Sequence, residues 1–348
     1  MRILVTGGAG FIGSHFTRSL LDGRYVGFEH CDVTVVDKLT YASDRNNLPA
    51  NHPRLTFLRG DICDRRLLAE VVPGHDAVVH FAAESHVDRS IDDPAPFFET
   101  NVMGSHHLMA ACARAGVGRV VHVSTDEVYG SITDGSWTER SVLEPNSPYA
   151  ASKAASDCIV RSYWRTYDVD VSITRCANNY GPYQHVEKVI PRFVTSLLTG
   201  QDITLHGDGG AVREWLHVDD HCRAISLVLG KGRAGEVYNI GGDVELTNRA
   251  LAERILLLAG AGWDQVRHVA DRKVQDQRYS LDYTKIQDEL GFEPQVRFTD
   301  GLAEVFQWYR DNWDWWAHAY PEVRAGATPL TNCVRVLPTA RAVPAAVY

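Results

Sequence analysis

Long apolar runs are missing from this chain of 348 residues. None approaches the roughly 18 residues needed to cross a bilayer, so a membrane-spanning reading falls away. A surplus of positive charge is missing as well. Lys and Arg number 35 against 44 Asp and Glu, a formal charge of −9, which speaks against a broad basic face for nucleic acid but leaves room for a local cationic pocket. The seven cysteines (Cys31, Cys63, Cys112, Cys158, Cys176, Cys222 and Cys333) include no C-x-x-C pair and are odd in number. That usage predicts free thiols in a reducing cytoplasm rather than a disulfide scaffold. The N-terminus carries one arginine and runs straight into a glycine-rich loop, unlike a secretory signal. No internal repeat is visible, and 45% hydrophobic with 23% charged residues excludes disorder or low complexity as the dominant character.

What is present is a regular alternation. Apolar, β-branched runs at Arg2–Thr6, Val33–Asp37, Leu55–Arg59, Ala77–Phe81, Val120–Ser124 and Val171–Arg175 read as strands. Ser14–Leu21, Pro96–Ala115 and Ala150–Tyr167 read as helices. Strands alternating with helices predict βαβ crossovers, hence an α/β fold: a Rossmann-type doubly wound parallel sheet. After Asn179-Tyr180-Gly181-Pro182 the elements shorten to Ile203–His206, Glu236–Ile240 and the helix Asn248–Ala259. The expected organisation is a cofactor domain over 1–180 and a smaller, interleaved α/β substrate lobe over 181–316 that partly returns to the core. A tail of different composition over 317–348 follows.

Between the first strand and the first helix lies Thr6-Gly7-Gly8-Ala9-Gly10-Phe11-Ile12-Gly13, readable as G-x-G-x-x-G from Gly8 or as G-x-x-G-x-x-G from Gly7. Glycine is needed where the turn is tight, where backbone approaches a pyrophosphate, and where helix meets strand; the helix N-terminus then presents N–H groups to the phosphates. Asp37 closes the second strand, where a carboxylate accepts ribose hydroxyls and repels a 2′-phosphate. NAD is therefore expected rather than NADP, with Lys38 beside Asp37 either softening that preference or sitting in solvent. Asp61-Ile62 reads as a seat for the adenine edge or, for Asp61, as a helix cap.

Tyr149 and Lys153 stand four residues apart on one helical face. A phenol with an ordinary pKa near 10 becomes a base at neutral pH only beside a cation such as Lys153. At the end of the fifth strand, Ser124 is followed by Thr125-Asp126-Glu127, and adjacent carboxylates divide into an acid and a base because their charges oppose each other.

Together the glycine loop, Asp37, Ser124 and the Tyr149/Lys153 pair resemble the extended short-chain dehydrogenase/reductase superfamily. Within it, Thr125-Asp126-Glu127, His80 to Ser90 and Arg175 to Gln184 resemble the dTDP-glucose 4,6-dehydratases over nearly all of the chain to Trp316. The resemblance implies that Tyr149 takes the C4 hydroxyl proton of dTDP-glucose as hydride leaves for NAD, with Thr125 bonding the C4 oxygen. It implies that Glu127 removes the C5 proton, that protonated Asp126 releases the C6 hydroxyl as water, and that hydride returns to C6. It extends the cofactor site to Leu39, Thr40, Phe81, Ala82, Ala83, Ser85, Thr100 and Asn179. It places substrate on Ser85, Asn178, Lys188, Val189, Thr204, His206, Arg213, Asn248, Asp271, Arg278 and Tyr279, and it implies a homodimer through the two long helices. Val274-Gln275 departs from the Gly-His usual there. The remaining alternatives are a UDP- or GDP-sugar dehydratase, a 4-epimerase, which Glu127 argues against, and a non-catalytic NAD-binding regulator, against which the complete set of catalytic residue types stands. His217 and His221 have i, i+4 spacing but lack the Glu of a metalloprotease helix, so no metal is expected and Asp219 or Asp220 reads as a cap. Trp308, Tyr309, Trp313, Trp315 and Trp316 read as packing.

Overall fold

A computed structural model describes residues 1–271 and 276–319. Seven strands make one fully parallel sheet: β1 (Arg2–Thr6), β2 (Asp32–Asp37), β3 (Leu55–Arg59), β4 (Ala77–His80), β5 (Arg119–Thr125), β6 (Val171–Cys176) and β7 (Val237–Ile240), in the order β7-β6-β5-β4-β1-β2-β3. Burial on both faces explains why the central strands β1 and β4 are near-continuous apolar runs rather than alternating ones. Ile3 and Val5 enter the core on one face while Leu4 enters that on the other, and Val79 and Val78 divide in the same way. Helices α1 (Phe11–Leu21), α2 (Ser105–Ala115) and α3 (Pro148–Tyr167) cover the sheet. The strand order reverses between β1 and β4, and a crevice opens there at the carboxyl ends of the strands.

The expected helix Pro96–Ala115 is wound in three ways. A short α turn at Ala95–Phe97 passes into a π-helical stretch, Phe98–Gly104, before α2 begins. Within that stretch the Asn101 amide clasps the chain beside it, accepting from Glu84 N at 2.8 Å and donating to Glu84 O at 3.0 Å and Ser152 Oγ at 2.8 Å. An apolar periodicity cannot reveal such a widening.

Beyond Asn178 a second core gathers around α4 (Val189–Leu198), α6 (Asn248–Ala259) and α7 (Phe298–Asp311), with α5 (Val218–Lys231) lying on the main sheet. A three-stranded sheet (Asn178–Tyr180, Val212–His217, Val244–Thr247) and a strand pair (Ile203–His206, Val266–Val269) complete it. Tyr309 and Trp316 are buried in this core, with Trp308, Trp313 and Trp315 against it. Ala317 is also buried there and opens a 3-10 turn, so packing continues past the composition change that suggested a tail from 317. Val274-Gln275, Cys333 and the rest of that segment from 320 lie outside the described residues. No described helix is long and apolar enough to cross a membrane.

Candidate active site

The crevice is built first by glycine. Gly7 has φ +70°, and a Cβ there would stand 2.5 Å from Ala82 N; a Cβ on Gly13 would stand 2.3 Å from Gly7 O. Gly8 instead packs over Val35 beneath the loop, so the reading from Gly7 is the one that shapes the crevice. Gly10 caps α1 with no side-chain partner, no acidic residue occupies the first turn, and the nearest atom to a Cβ on Gly10 would be 3.4 Å away. The first-turn N–H groups have no partner within a helix, so a positive dipole end faces open space that fits a pyrophosphate.

Asp37 ends β2 with its carboxylate fixed by Ala9 N at 2.9 Å, Leu39 N at 2.8 Å and Ser43 Oγ at 3.0 Å. About four lone-pair sites minus these three leave room for roughly one further donor, such as a ribose hydroxyl. Lys38, exposed at the surface, is ion-paired to Asp61 at 2.7 Å across the ends of β2 and β3. Asp61 caps no helix, since Asp64 caps the helix Arg65–Val71. Every residue named above for the cofactor lines this one crevice except Leu39, whose N–H is spent on Asp37.

Thr125, Asp126, Glu127, Tyr149, Lys153, Asn178 and Lys188 line the same crevice. β5 ends in a 3-10 turn, Asp126–Tyr129, whose cap is Thr125 Oγ1, accepting from Glu127 N at 3.3 Å. Thr125 Oγ1 also donates to Asp126 Oδ1 at 3.1 Å, while Asp126 Oδ2 is buried without a partner. Burial first, then the carboxylates of Glu127 and Glu214, pushes the Asp126 carboxyl well above its ordinary range, which favours its protonated form. Tyr149 is likewise pushed well above the phenol range, by burial first and then by Glu127, with Thr125 pulling the other way. Lys153 donates to Val123 O at 2.8 Å, and burial lowers its ammonium to about 8.

The remaining predicted residues form a second group outside the crevice. Asn248 N bonds Ala211 O, Tyr279 N bonds Val212 O, and the Arg213 guanidinium lies 4.3 Å over the Tyr279 ring. Arg278 is held by Glu245 at 2.7 and 2.8 Å. Val189 opens α4; Thr204 and His206 lie on the strand pair, and Asp271 is exposed just beyond it. Arg213 acts electrostatically on Asp126, as Glu127 does on Tyr279, which sets these two residues near the turn Asp126–Tyr129.

The family described as GDP-mannose 4,6 dehydratase matches residues 4–305. A dTDP-glucose 4,6-dehydratase from Streptomyces niveus is 59% identical over 318 residues, covering 91% of this chain and 95% of that protein. The chain belongs to the dTDP-glucose 4,6-dehydratase family. DesIV, a dTDP-glucose 4,6-dehydratase from Streptomyces venezuelae solved with NAD and TYD bound, superposes with a TM-score of 0.90 at 63% identity over 91% of this chain and 99% of that one. A UDP-glucose 4-epimerase from Thermotoga maritima shares the fold at a TM-score of 0.83 and 32% identity, covering 90% of this chain and 100% of that one.

For a member of the dTDP-glucose 4,6-dehydratase family, two features escape motif reading. Glu214 is buried, accepts from Gly242 N and Leu281 N, and is raised by burial to about 7. Beneath the catalytic helix, a chain of polar side chains runs from Thr6 through His80, Ser105, Ser156 and His122 to Asp157, Arg175, Tyr129 and Asn239, with successive contacts of 2.7 to 3.4 Å. The one signal for it was Asp157 at i+4 from Lys153. His217, meanwhile, is the cap of α5: its Nδ1 accepts from Asp219 N. Asp219 instead pairs with His15 and Arg24, and Asp220 holds Gln295 N and Val296 N.

Proposed function

We propose that this chain is a dTDP-glucose 4,6-dehydratase, a hydro-lyase that converts dTDP-glucose to dTDP-4-keto-6-deoxyglucose and water with tightly held NAD. The observation that carries the reading is the turn Thr125-Asp126-Glu127 at the end of β5, where one carboxyl is buried and shifted toward its protonated form beside a second that flanks Tyr149. Gly7, Gly10, Gly13 and the first turn of α1 hold the pyrophosphate, Asp37 a ribose hydroxyl, and Thr100 and Asn179 flank the nicotinamide. An oxidised nicotinamide, when bound, supplies a hydride acceptor and a positive charge. Tyr149 accepts the C4 hydroxyl proton, with Lys153 stabilising its phenolate and Thr125 fixing the C4 oxygen. Once C4 is a ketone, Glu127 removes the acidified C5 proton, and Asp126 donates its proton to the C6 hydroxyl, which departs as water. With the hydride taken from C4 returned to C6, Glu127 gives its proton back to C5 and the C5–C6 double bond is consumed. An epimerase has no departing hydroxyl and so no need of an acid at Asp126.

Ser85 and Asn178 contact the glycosyl diphosphate, and Lys188, Arg213 and Arg278 answer its charge. Val189, Thr204, His206, Asn248, Asp271 and Tyr279 surround the nucleoside. A cytoplasmic homodimer joined along the two long helices is supported by exposed Phe98, Met103 and Tyr167. The test is turnover of dTDP-glucose beside UDP-glucose with product identification by NMR. Water loss to a 4-keto-6-deoxy product from dTDP-glucose, without net NADH, is expected. A C4 epimer as the only product, or turnover confined to UDP-glucose, would overturn the reading.

A further inference from the structure

The glycine loop is braced from the second lobe. Ala9 O and Gly10 N belong to one planar peptide, so whatever fixes that carbonyl fixes the peptide plane at the cap of α1. Two donors fix it, Asp44 N at 3.1 Å and Asn47 Nδ2 at 2.9 Å, while Ala9 N goes to Asp37 Oδ2 at 2.9 Å. Asn47 ends the 3-10 turn Arg45–Asn47 and is 3% exposed. Its Oδ1 accepts from Trp315 Nε1 at 2.8 Å, in the short helix Trp313–Trp316, 268 residues further along the chain. An indole N–H only donates and a backbone carbonyl only accepts, so the amide can meet these two partners in one orientation alone. The same corner is closed a second time. Arg18 of α1 donates to Asn47 O and lies 4.2 Å over the Tyr183 ring, which meets Trp315 edge-on at 5.7 Å. Tyr183 takes φ +68°, a left-handed backbone that a bulky residue adopts only where its surroundings hold it there.

We infer that Asn47 and Trp315 are positioning residues for NAD: the indole holds the amide, the amide holds the Ala9–Gly10 peptide, and that peptide shapes the pyrophosphate end of the crevice. The inference rests on the reading that seats the pyrophosphate at Gly7, Gly10 and Gly13. Neither Asn47 nor Trp315 lines the crevice, so both act through Ala9. Both lobes line it, with Gly10, Thr40 and Ser43 on one side and Gln184, His185 and Lys188 on the other. A cofactor lying between them is retained by whatever ties the lobes together, and the bond from Trp315 to Asn47 is such a tie. Trp315 thus adds a directed hydrogen bond to the packing that its sequence context predicts.

Full-length holoenzyme loaded with radiolabelled NAD and diluted into excess unlabelled NAD reports how fast cofactor leaves, with no turnover required. Trp315→Phe keeps a ring and removes the donor, which leaves Asn47 Oδ1 buried and unpaired, and exchange is expected to quicken about 10-fold. Asn47→Leu gives up both bonds and should quicken it further. Adding Trp315→Phe to Asn47→Leu should then change nothing more, because the two residues act in one line. Trp313→Phe, in the same short helix and packed 4.4 Å from the Trp316 ring, measures the effect of packing alone and should leave exchange near wild type. An unchanged rate in Trp315→Phe overturns the inference. So does equal quickening in Trp313→Phe, or a double variant whose effect is the product of the two singles. If Asn47→Leu fails to fold, the two tryptophan variants decide. Wild-type protein that holds NAD but is inert toward dTDP-glucose would overturn the functional reading alone, while the exchange rates still decide whether Asn47 and Trp315 hold the cofactor.

Discussion

The two sides of the crevice are built on different plans. On the cofactor and catalytic side, short side chains and backbone groups stand at the ends of β1, β2 and β5 and on the first turns of α1 and α3, each fixed by neighbours on the same sheet. Where substrate is proposed to bind, long cationic side chains come from separate elements, Lys188 on the crevice and Arg213 and Arg278 outside it. They hold on to one another's surroundings: Arg278 to Glu245, Arg213 to Val212 O and the Tyr279 ring, Lys188 to Ser85 O. The first plan pre-pays the entropy of positioning reacting atoms. The second retains rotamers that a ligand can reset, which suits recognition of a diphosphate more than chemistry.

This contrast can be broken by mutation. Tyr149→Phe keeps the ring and removes the proton acceptor, so kcat is expected to fall by about 10²–10⁴-fold with KM nearly constant, measured by product formation; a change confined to KM would erase the distinction between the sides. Asp37→Ala deletes both a ribose partner and the tie that holds Ala9, Leu39 and Ser43, and NAD affinity should weaken roughly 10- to 100-fold, read by titrating cofactor into stripped protein. Arg278→Ala should raise KM for dTDP-glucose by about 10-fold and leave kcat near wild type. A fall in kcat as large as that of Tyr149→Phe would show the substrate side to be as rigidly coupled to the chemistry as the sheet.

How much was legible follows the same division. The strands could be read because burial on both faces writes itself as runs rich in Val and Ile, broken only by single buried or half-buried polar residues, as at Thr34 in Val33 to Val36 and His122 in Val120 to Val123. The turn proposed for catalysis stands out in sequence because Thr125, Asp126 and Glu127 are consecutive. Arg213, Asn248 and Tyr279 come together only through pairings between distant segments, so only likeness to relatives, and no local pattern, could propose them as one group. The buried line from Thr6 to Asn239 was invisible for another reason: Ser, His and Thr inside a strand or helix look the same in sequence whether they face water or one another.

The π-wound stretch Phe98–Gly104 makes the helix behave as a phase shifter. Each residue advances an α-helix by roughly 100°, so deleting one residue to regularise the stretch would rotate everything on one side of the cut against everything on the other. Thr100, on the crevice, and Asn101, on Ser152, are neighbours in the chain that serve opposite clients, and one rotation could not keep both. For anyone grafting or recombining this helix, the seven residues are a single indivisible module, and crossover points belong before Phe98 or after Gly104.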